Sequence, residues 1–546
     1  MEYGLCAHTS SARILMLKYY LKNNRPVANR FTLWTLLLLS LSQSTFVPRT
    51  RASNLDTIGL TLLQSVTNLD GTGIRVGHAE AGTPTANNWE PNPAIVGLPA
   101  GDFTYYASGL TAIIFPNSIG LESSHADGVG NLFYGFPAGV CTNVGHVDAY
   151  EAGYFINSLV VLQTAINDRI VNQSFIDGSG TNQQKMLDTD FDNYSAKYNM
   201  LFSSSVGDGG PVSAPSTCYN GIGVAAYGTP ASSVGPTPDN GRAKPDITAP
   251  ADATSDSAPL VSGAVALMYQ AGLRGDGGSD TNSAVDMRTV KALLLNGAVK
   301  PKDWTNAFPS PLDIRYGSGI LNVFNSYEQL AGGKHGFIDS NSVPSGNPHP
   351  PTSATGNVSK LSGWDLNTNT SSTSPAMDGV RHYYFELTNG APHAGFTGTA
   401  TLTWNRQASH TTINELDLYL YNVATSNLVA VSSNAVDNVK HIFVTRLPPG
   451  RYDLQVVKTA ANAVTASETY ALAFEFFSMK LSVTQSAGNL VFSWPVYPAG
   501  FWLETAPTLN STSWTESGVT PIVANYHNVV TISAASGNQV FRLVRP

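Results

Sequence analysis

The chain has 546 residues, a length that predicts about three domains rather than a single core. Only 12% of the residues are charged. The net charge is −8, with seven Lys/Arg and one acid in residues 1–52 and a net −14 in the remainder. An acidic, sparsely charged surface without a basic patch argues against a nucleic-acid partner and is typical of a soluble extracellular protein.

Residues 1–52 predict a signal or targeting segment. Arg25 and Arg30 precede the apolar run Phe31–Ser42, which is too short to span a bilayer but has the length of the apolar part of a secretory signal. We expect cleavage between Ser42 and Ala52, a secreted protein, and no stable membrane span after signal removal. An N-terminal membrane anchor or a buried helix is the alternative.

Between Leu69 and about Gly333, short apolar runs alternate with helical stretches, as in an α/β sheet with crossover helices. The strands predicted in this part are Ile74–Gly82, Arg169–Phe175, Asn199–Gly207 and Gly221–Gly228. The helices predicted are Ala126–Phe136, Ala149–Asn167, Val261–Ala271 and Met287–Leu295.

After Gly333 the composition changes. Residues 336–376 are rich in Ser, Asn, Pro and Thr, which predicts a linker. Short alternating strands with turn residues between them predict a β-sandwich over residues 377–479. Residues 480–546 repeat this pattern on a smaller scale and predict a second β module.

Four side chains in the first half have the chemistry and the positions that a hydrolytic serine requires. Ser255 begins a helix, where main-chain N–H groups favour a developing negative charge, although many helices begin with an inert capping serine. A catalytic serine also needs a base, an acid that orients the base, and oxyanion donors. His125 begins another helix, Glu80 ends a strand, and Asp208 lies in a Gly-rich turn after a further strand.

The order of these segments resembles the subtilisin-like serine proteases (subtilases, peptidase S8 family), from about Gly71 to Ala331. The segments that carry the resemblance are, in chain order, GTGIRVGHAEAG, HADGVGNLFYG, VNQSF, GDGGPVSAPSTCYNGIGVAA, VGPTPDNGRAKPDITAP, ATSDSAPLVSGAVALM, TVKALLLNGA and YGSGILNVFNSYEQL. The module Met377–Phe477 resembles the β-sandwich domains appended to secreted bacterial proteases.

The resemblance implies a subtilisin-like three-layer α/β sandwich with a mostly parallel sheet over residues 53–335, followed by the two β-rich modules. It implies a secreted serine endopeptidase that hydrolyses proteins or peptides through an acyl-enzyme. The implied roles are nucleophile for Ser255, base for His125, orienting acid for Glu80, oxyanion partner for Asp208 and substrate binding for Ser174. No cofactor is implied as required; a structural calcium ion could bind at a position that the sequence does not locate.

The sequence departs from the family pattern at several of these positions. Glu80 stands where the family has Asp, and Asp208 stands where it has a neutral Asn donor. An ionised carboxylate cannot donate to an oxyanion, so Asp208 would have to be protonated, which burial or neighbouring negative charge would favour. Such an enzyme would work best below neutral pH. Ala253 and Asp256 replace the usual Gly and Met beside the serine.

Two alternatives follow from these departures and from the C-terminal modules. One is a catalytically impaired subtilase-fold protein. The other is a secreted adhesion or carbohydrate-binding protein that contacts a surface or polysaccharide through its β modules. Aromatic side chains there could stack on sugars, although alternating strand positions are more often core: Trp404, Tyr419, Tyr421, Trp494, Trp502 and Trp514. Glu415 and Asp417 could offer oxygens to calcium, but one acidic pair does not define a site.

Overall fold

The structure is a computed structural model that describes residues 3–7, 53–83, 86–306, 310–388, 395–534 and 539–545, with only the backbone for 3–7. The predicted signal sequence, Phe31–Ser42, lies outside the described residues. Among the residues that are described, no helix has the length and apolar character needed to cross a membrane.

The helices of the described part are α1 Asn54–Thr57, α2 Leu60–Val66, α3 Pro93–Val96, α4 Ser124–Phe133, α5 Ala152–Tyr154, α6 Thr181–Tyr198, α7 Thr254–Arg274, α8 Thr281–Ala284, α9 Met287–Gly297 and α10 Val323–Gly332. A 3₁₀ turn covers Ala100–Asp102, and a π-helix, Phe155–Val160, continues α5. The strands up to the end of the first unit are β1 Tyr3–Ala7, β2 Arg75–Glu80, β3 Asn88–Glu90, β4 Phe103–Ala107, β5 Leu110–Ala112, β6 Leu121–Glu122, β7 His146–Glu151, β8 Ile170–Gln173, β9 Leu201–Ser205, β10 Ile222–Tyr227 and β11 Ile247–Pro250.

Eight of these strands form one sheet in the order β11-β10-β9-β8-β2-β7-β4-β5. All neighbouring pairs are parallel except β4 and β5, an antiparallel hairpin at one edge. Parallel strands need crossover connections, which cover both faces of the sheet. Val76 and Ile170 face a core that includes α4 and α7, whereas Ala79 and Val171 face a core that includes α6. The predicted three-layer fold with a mostly parallel sheet is confirmed.

Helix α7 is buried over most of its length beneath this sheet. Small side chains allow it to pack closely: a Cβ atom on Gly263 would lie 2.4 Å from Cβ of Val140. Gly275, in the left-handed conformation with φ of 86°, ends the helix. The close packing fixes the position of the first turn of α7, which carries Ser255.

One predicted helix is wrong. The segment Ala149–Asn167 begins as strand β7, and only residues 152–160 are helical. Strand β7 lies between β2 and β4 and is buried on both faces, so its apolar residues do not alternate. A short continuous apolar run of this kind cannot be assigned to strand or helix from its periodicity.

The predicted linker at residues 336–376 is also wrong. It contributes strands β12 Asp339–Pro344, β13 Ser362–Thr370 and β14 Ser372–Thr373. Strand β12 pairs with Met377–His382, and β13 pairs with Ser467–Glu475. The Ser, Asn and Thr residues occupy half-exposed strand positions, whereas Trp364 is buried. The polar composition of residues 336–376 therefore reflects strands at the protein surface and not a linker.

The remaining strands are β15 Ala376–Leu387, β16 Phe396–Trp404, β17 Leu416–Asn422, β18 Asn427–Ser432, β19 Val439–Leu447, β20 Gly450–Lys458, β21 Ser467–Phe477, β22 Ser482–Ser486, β23 Asn489–Pro495, β24 Trp502–Ala506, β25 Thr515–Glu516, β26 Ile522–Ala524, β27 His527–Ser533 and β28 Gln539–Val544. Two antiparallel sheets, β12-β15-β20-β17-β18 and β13-β21-β16-β19, form a sandwich around a shared apolar core. Two further small sheets, β22-β23-β27-β26 and β1-β28-β24-β25, follow.

The sandwich packs directly on the α/β unit, because α9 and α10 lie against its second sheet. Asn296 on α9 accepts hydrogen bonds from the hydroxyls of Thr399 and Thr401, each at 3.0 Å. The side chain of Asn220 and the main chain of Arg406 exchange two hydrogen bonds, at 2.9 and 2.8 Å. All of these groups are buried, so the two units share an interior.

Candidate active site

The predicted site residues gather at the carboxyl edge of the parallel sheet. Glu80 is the last residue of β2, Ser174 follows β8, and Asp208 follows β9 within three residues. Ser255 is the second residue of α7, which begins after β11. The carboxyl ends of the strands are where open α/β sheets place their ligands and reacting groups.

Glu80 and His125 form a hydrogen-bonded pair, with His125 Nδ1 2.9 Å from Glu80 Oε1. Glu80 is 3% exposed, whereas the side chain of His125 is 46% exposed. Burial alone would raise the pKa of Glu80, but the hydrogen bonds and charges of His125 and His78 outweigh it and lower that pKa. The hydrogen bond to Glu80 raises the pKa of His125. The carboxylate accepts the proton on Nδ1, which leaves Nε2 as the free nitrogen of an accessible imidazole.

A second histidine, which the sequence analysis missed, lies on the other side of Glu80. His78 Nε2 is 3.5 Å from Glu80 Oε2, and His78 Nδ1 is 2.8 Å from the hydroxyl of Tyr134. His78 and Tyr134 are fully buried. The signal was present in the sequence, since residues two apart on a strand lie on the same face.

A series of buried polar side chains fixes the main chain at Ser255. Ser174 Oγ donates to the main-chain carbonyl of Ser255 at 2.7 Å and accepts from Asn172 Nδ2 at 3.0 Å. Asn172 Oδ1 in turn accepts from the hydroxyl of Ser262 on α7, at 2.8 Å. The hydroxyl of Ser174, predicted to bind substrate, is 6% exposed and is used within the protein to fix the first turn of α7.

The structure places His125 among the acids that flank Ser255. After the contribution of Glu80, the charges of Asp256 and Asp208 also raise the pKa of His125. Burial, followed by the charges of Asp208 and Asp252, raises the pKa of Asp256. No hydrogen bond between His125 and Ser255 is present among the described residues, and the main-chain N–H of Ser255 has no acceptor there. That N–H is therefore available to an incoming oxygen.

Asp208 is exposed, and its Oδ1 accepts a hydrogen bond from the main-chain N–H of Thr254 at 2.9 Å. Ser233 holds the surrounding turn, because its N–H donates to Gly207 and its hydroxyl donates to Gly209. The carboxyl group thus lies beside the start of α7, where the sequence analysis expected an oxyanion partner, and in this structure it caps the helix.

No cluster of three or more His, Cys, Asp or Glu side chains suited to a metal ion occurs in the part of the chain that the structure describes. Glu415 and Asp417 do not form such a cluster: Asp417 is buried, and burial raises its pKa to about 7. A structural calcium ion therefore stays a prediction without an assigned site.

The mostly parallel sheet carries the candidate residues at its carboxyl edge. Residues 147–319 match the model of the subtilase family (Peptidase S8), which confirms over that range the resemblance seen in the motifs. The matched range includes Ser174, Asp208 and Ser255; Glu80 and His125 precede it. A comparison with curated proteins finds no match.

Several solved structures are similar to the chain. The prenylagaramide maturation protease PagA is 19% identical with a TM-score of 0.37, over 50% of this chain and 99% of that one. The PatG macrocyclase in complex with peptide is 16% identical with a TM-score of 0.37, over 50% and 95% of the two chains. Tripeptidyl peptidase 2 is 13% identical with a TM-score of 0.30, over 78% of this chain and 52% of that one.

Proposed function

We propose that the chain is a serine endopeptidase in which Glu80, His125 and Ser255 act as the catalytic triad. The observation that carries this proposal is the hydrogen bond between Glu80 and an otherwise accessible His125, near helix α7, whose second residue is Ser255. The match to the subtilase family over residues 147–319 supports peptide substrates.

The proposed reaction follows from the chemistry of these groups. The hydroxyl of Ser255 attacks the scissile carbonyl while His125 Nε2 accepts its proton. The imidazolium then protonates the leaving amine, and water hydrolyses the acyl-enzyme in the same way. Glu80 fixes the tautomer of His125 and stabilises its charged form. The free N–H of Ser255 and the N-terminal end of α7 face the oxyanion.

Asp208 limits this reaction when it is ionised, because a carboxylate beside the oxyanion repels it and has no proton to donate. His125 must be neutral to act as a base, and its raised pKa moves the rising limb of activity to higher pH. A protonated Asp208 is favoured at low pH, whereas a neutral His125 is favoured at high pH. We therefore expect activity over a narrow range of pH.

Labelling by a fluorophosphonate probe tests the proposal. The full-length protein is treated between about pH 4 and pH 8, the range in which a histidine base titrates. We expect labelling of Ser255, loss of labelling in Ser255→Ala, and strongly slowed labelling in His125→Ala. Ser257→Ala, in the same helical turn, serves as the control, because Ser257 donates to Ala249 and is buried. Absence of labelling at every pH in folded protein would exclude the peptidase function.

We place this activity outside the cell, after removal of a signal within residues 1–52, as the charge distribution and the apolar run predict. Expression with the native N-terminus tests this. Recovery of protein from the medium, with a new N-terminus between Ser42 and Ala52, is the expected result, and retention of the intact N-terminus in the membrane would contradict it.

A second candidate function, polysaccharide binding by the sandwich, is favoured by a cleft of about 760 Å³. Tyr419 and Tyr421 line it with their rings stacked at 6.3 Å, and His349 packs edge-on against Tyr419 at 4.4 Å. Flat aromatic faces beside polar groups suit a sugar ring. Tyr419 is partly exposed, whereas Tyr421 is 8% exposed, and Trp404 and Trp494 are core residues.

Retention on insoluble polysaccharides tests this binding role. We expect Tyr419→Ala to weaken retention, while Tyr526→Ala, at an exposed tyrosine outside the cleft, leaves it unchanged. Equal retention of both variants, or no retention of the unmodified protein on any polysaccharide tried, would exclude the role.

A further inference from the structure

We propose that His78 is a positioning residue for the carboxylate of Glu80. It anchors one carboxylate oxygen so that the other is held against His125. The inference rests on the proposed function, which it deepens by assigning a role to a group behind the triad.

The two oxygens of Glu80 face two different histidines. Oε1 lies 2.9 Å from His125 Nδ1, and Oε2 lies 3.5 Å from His78 Nε2. Among the described residues, neither Glu80 Oε2 nor His78 Nε2 has another hydrogen-bond partner, and both atoms are buried. Buried polar atoms that lack a partner are unfavourable, so each of these atoms is the natural partner of the other after a small side-chain rotation.

Tyr134 is placed to favour the tautomer that this contact requires. Its hydroxyl is 2.8 Å from His78 Nδ1, and burial raises the pKa of Tyr134 well above its usual value, so the hydroxyl keeps its proton. A hydroxyl that donates to Nδ1 makes that nitrogen the acceptor. With Nδ1 as the acceptor, a ring proton of His78 lies on Nε2, directed at the carboxylate.

Helix α4 supplies both outer members of this row. His125 is its second residue, and Tyr134 follows its last residue. The helix therefore lies across His78 and Glu80, with its first turn contacting Glu80 and its C-terminal end contacting His78. The four side chains form one sequence of contacts, from Tyr134 through His78 and Glu80 to His125.

The replacement of Asp by Glu explains why such an anchor is needed. A glutamate has one more rotatable bond than an aspartate, so its carboxylate can take more positions and loses more freedom when it is fixed. An acid that orients a catalytic base works only while it is held in one geometry. His78 restricts the additional torsion from the side opposite to His125.

Several titratable groups face the row besides its own members. Asp127 on α4 lies near His78 and Tyr134, and its Oδ1 accepts from the main-chain N–H of Asn92. Tyr105 and Cys141 also face Tyr134. His125 is faced by Glu80, Asp256 and Asp208. Removing the ring of His78 therefore alters His125 chiefly through Glu80.

The test compares two replacements of His78 in the full-length protein. His78→Gln keeps an N–H that can reach Oε2, whereas His78→Phe keeps a ring of similar size without a donor. The titration of His125 is followed by NMR with histidine-selective isotope labelling, and kcat and KM are measured against pH. The NMR measurement does not depend on activity, so it separates failure of this inference from failure of the proposed function.

We expect His78→Phe to lower the pKa of His125 towards its ordinary value, because a displaced Glu80 stabilises the imidazolium less. The acid limb of kcat should move to lower pH, and kcat should fall by about 10–100-fold with KM little changed, as a misplaced catalytic group predicts. In His78→Gln, the pKa of His125 and kcat should both stay close to their values in the unmodified protein. A folded His78→Phe protein with unchanged His125 titration and unchanged kcat would overturn the proposal.

Tyr134→Phe provides an independent variant in case His78→Phe does not fold. It removes the hydroxyl that fixes the tautomer and should shift the titration of His125 in the same direction, by less. An unchanged titration and pH profile in Tyr134→Phe together with a wild-type profile in His78→Leu would likewise overturn the proposal.

Discussion

Asp208 Oδ1 accepts the main-chain N–H of Thr254, so a carboxylate caps the helix whose next residue is Ser255. An asparagine in this place could accept the same hydrogen bond through its oxygen and still present an N–H₂ group to a neighbouring oxyanion. Both residues could therefore cap α7 through an oxygen atom, but only asparagine could also donate a hydrogen bond to the oxyanion.

Asp208→Asn should raise kcat at neutral pH, by up to about 10²–10³-fold, the value associated with one oxyanion donor. The removal of a negative charge should also lower the pKa of His125 and extend activity to lower pH. Steady-state kinetics against pH checks both effects. Asp208→Ala removes the charge without adding a donor; an equal gain in both variants would mean that charge alone limits the reaction.

Asp256 should control the acid limb of the pH profile. Its charge raises the pKa of His125, so Asp256→Asn should lower that pKa and shift the rising limb of kcat/KM to lower pH. Asp252→Asn is the matched control, because the charge of Asp252 acts on Asp256, whereas the charges that act most on His125 are those of Glu80, Asp256 and Asp208. A shift of the same size in both variants would contradict the assignment.

Glu80→Gln should separate two effects of Glu80 on His125, the orientation of the imidazole ring and the stabilisation of its charged form. A neutral amide no longer stabilises the imidazolium, so the pKa of His125 should fall and kcat should drop by on the order of 10²–10⁴-fold, the upper value being that of an acid-to-amide change in a serine protease triad. Fluorophosphonate labelling rates give the same comparison without a substrate. Labelling of Glu80→Gln at the unmodified rate would remove Glu80 from the triad.

Ser174→Ala should affect catalysis beyond its effect on stability. It leaves the carbonyl of Ser255 and the amide of Asn172 without a partner, which should cost about 1–3 kcal/mol of unfolding free energy. It should also lower kcat, because the turn that carries Ser255 becomes less restrained. Ser203→Ala is the matched control: its buried hydroxyl donates to Ala258, one turn further along α7. A fall in kcat that is the same in both variants would indicate general destabilisation.

Residues 336–546 should be required for the stability of the first unit. Their removal would expose the side of α9 that packs on the sandwich and leave Asn296 without Thr399 and Thr401. We expect a lower Tm and aggregation on heating, measured by calorimetry and light scattering. Asn296→Ala in the full chain should produce a smaller loss, of about 1–3 kcal/mol. A truncated protein with an unchanged Tm would show that the units fold independently.

The sequence predicted the parallel sheet because β2, β8, β9 and β10 are short apolar runs in a part of the chain that also carries helical patterns. It did not predict β7, which is buried on both faces and therefore lacks periodicity, or β12 and β13, whose Ser, Asn and Thr residues resemble a linker. In each case the structure depends on strand pairing across a large sequence separation, which local composition does not record.

The sequence was sufficient to propose the residues of the candidate site, but not the residues that hold them in position. Glu80 ends a strand, Ser174 and Asp208 follow strands, and Ser255 lies in the first turn of a helix. Such positions can be found from local patterns. The contacts of His78 with Tyr134 and of Asn172 with Ser262 join residues on different elements. Their roles appear only when the two elements are placed together.

The buried polar contacts between α9 and the sandwich also restrict how the chain can evolve. Asn296 makes hydrogen bonds to two threonines of one strand, and its own amide group donates to Gln329 on α10. A recombination event that replaced the sandwich with an unrelated module would leave these acceptors and donors facing an unmatched surface. Exchange of the C-terminal half for an unrelated module would therefore require simultaneous changes on both sides of this interface.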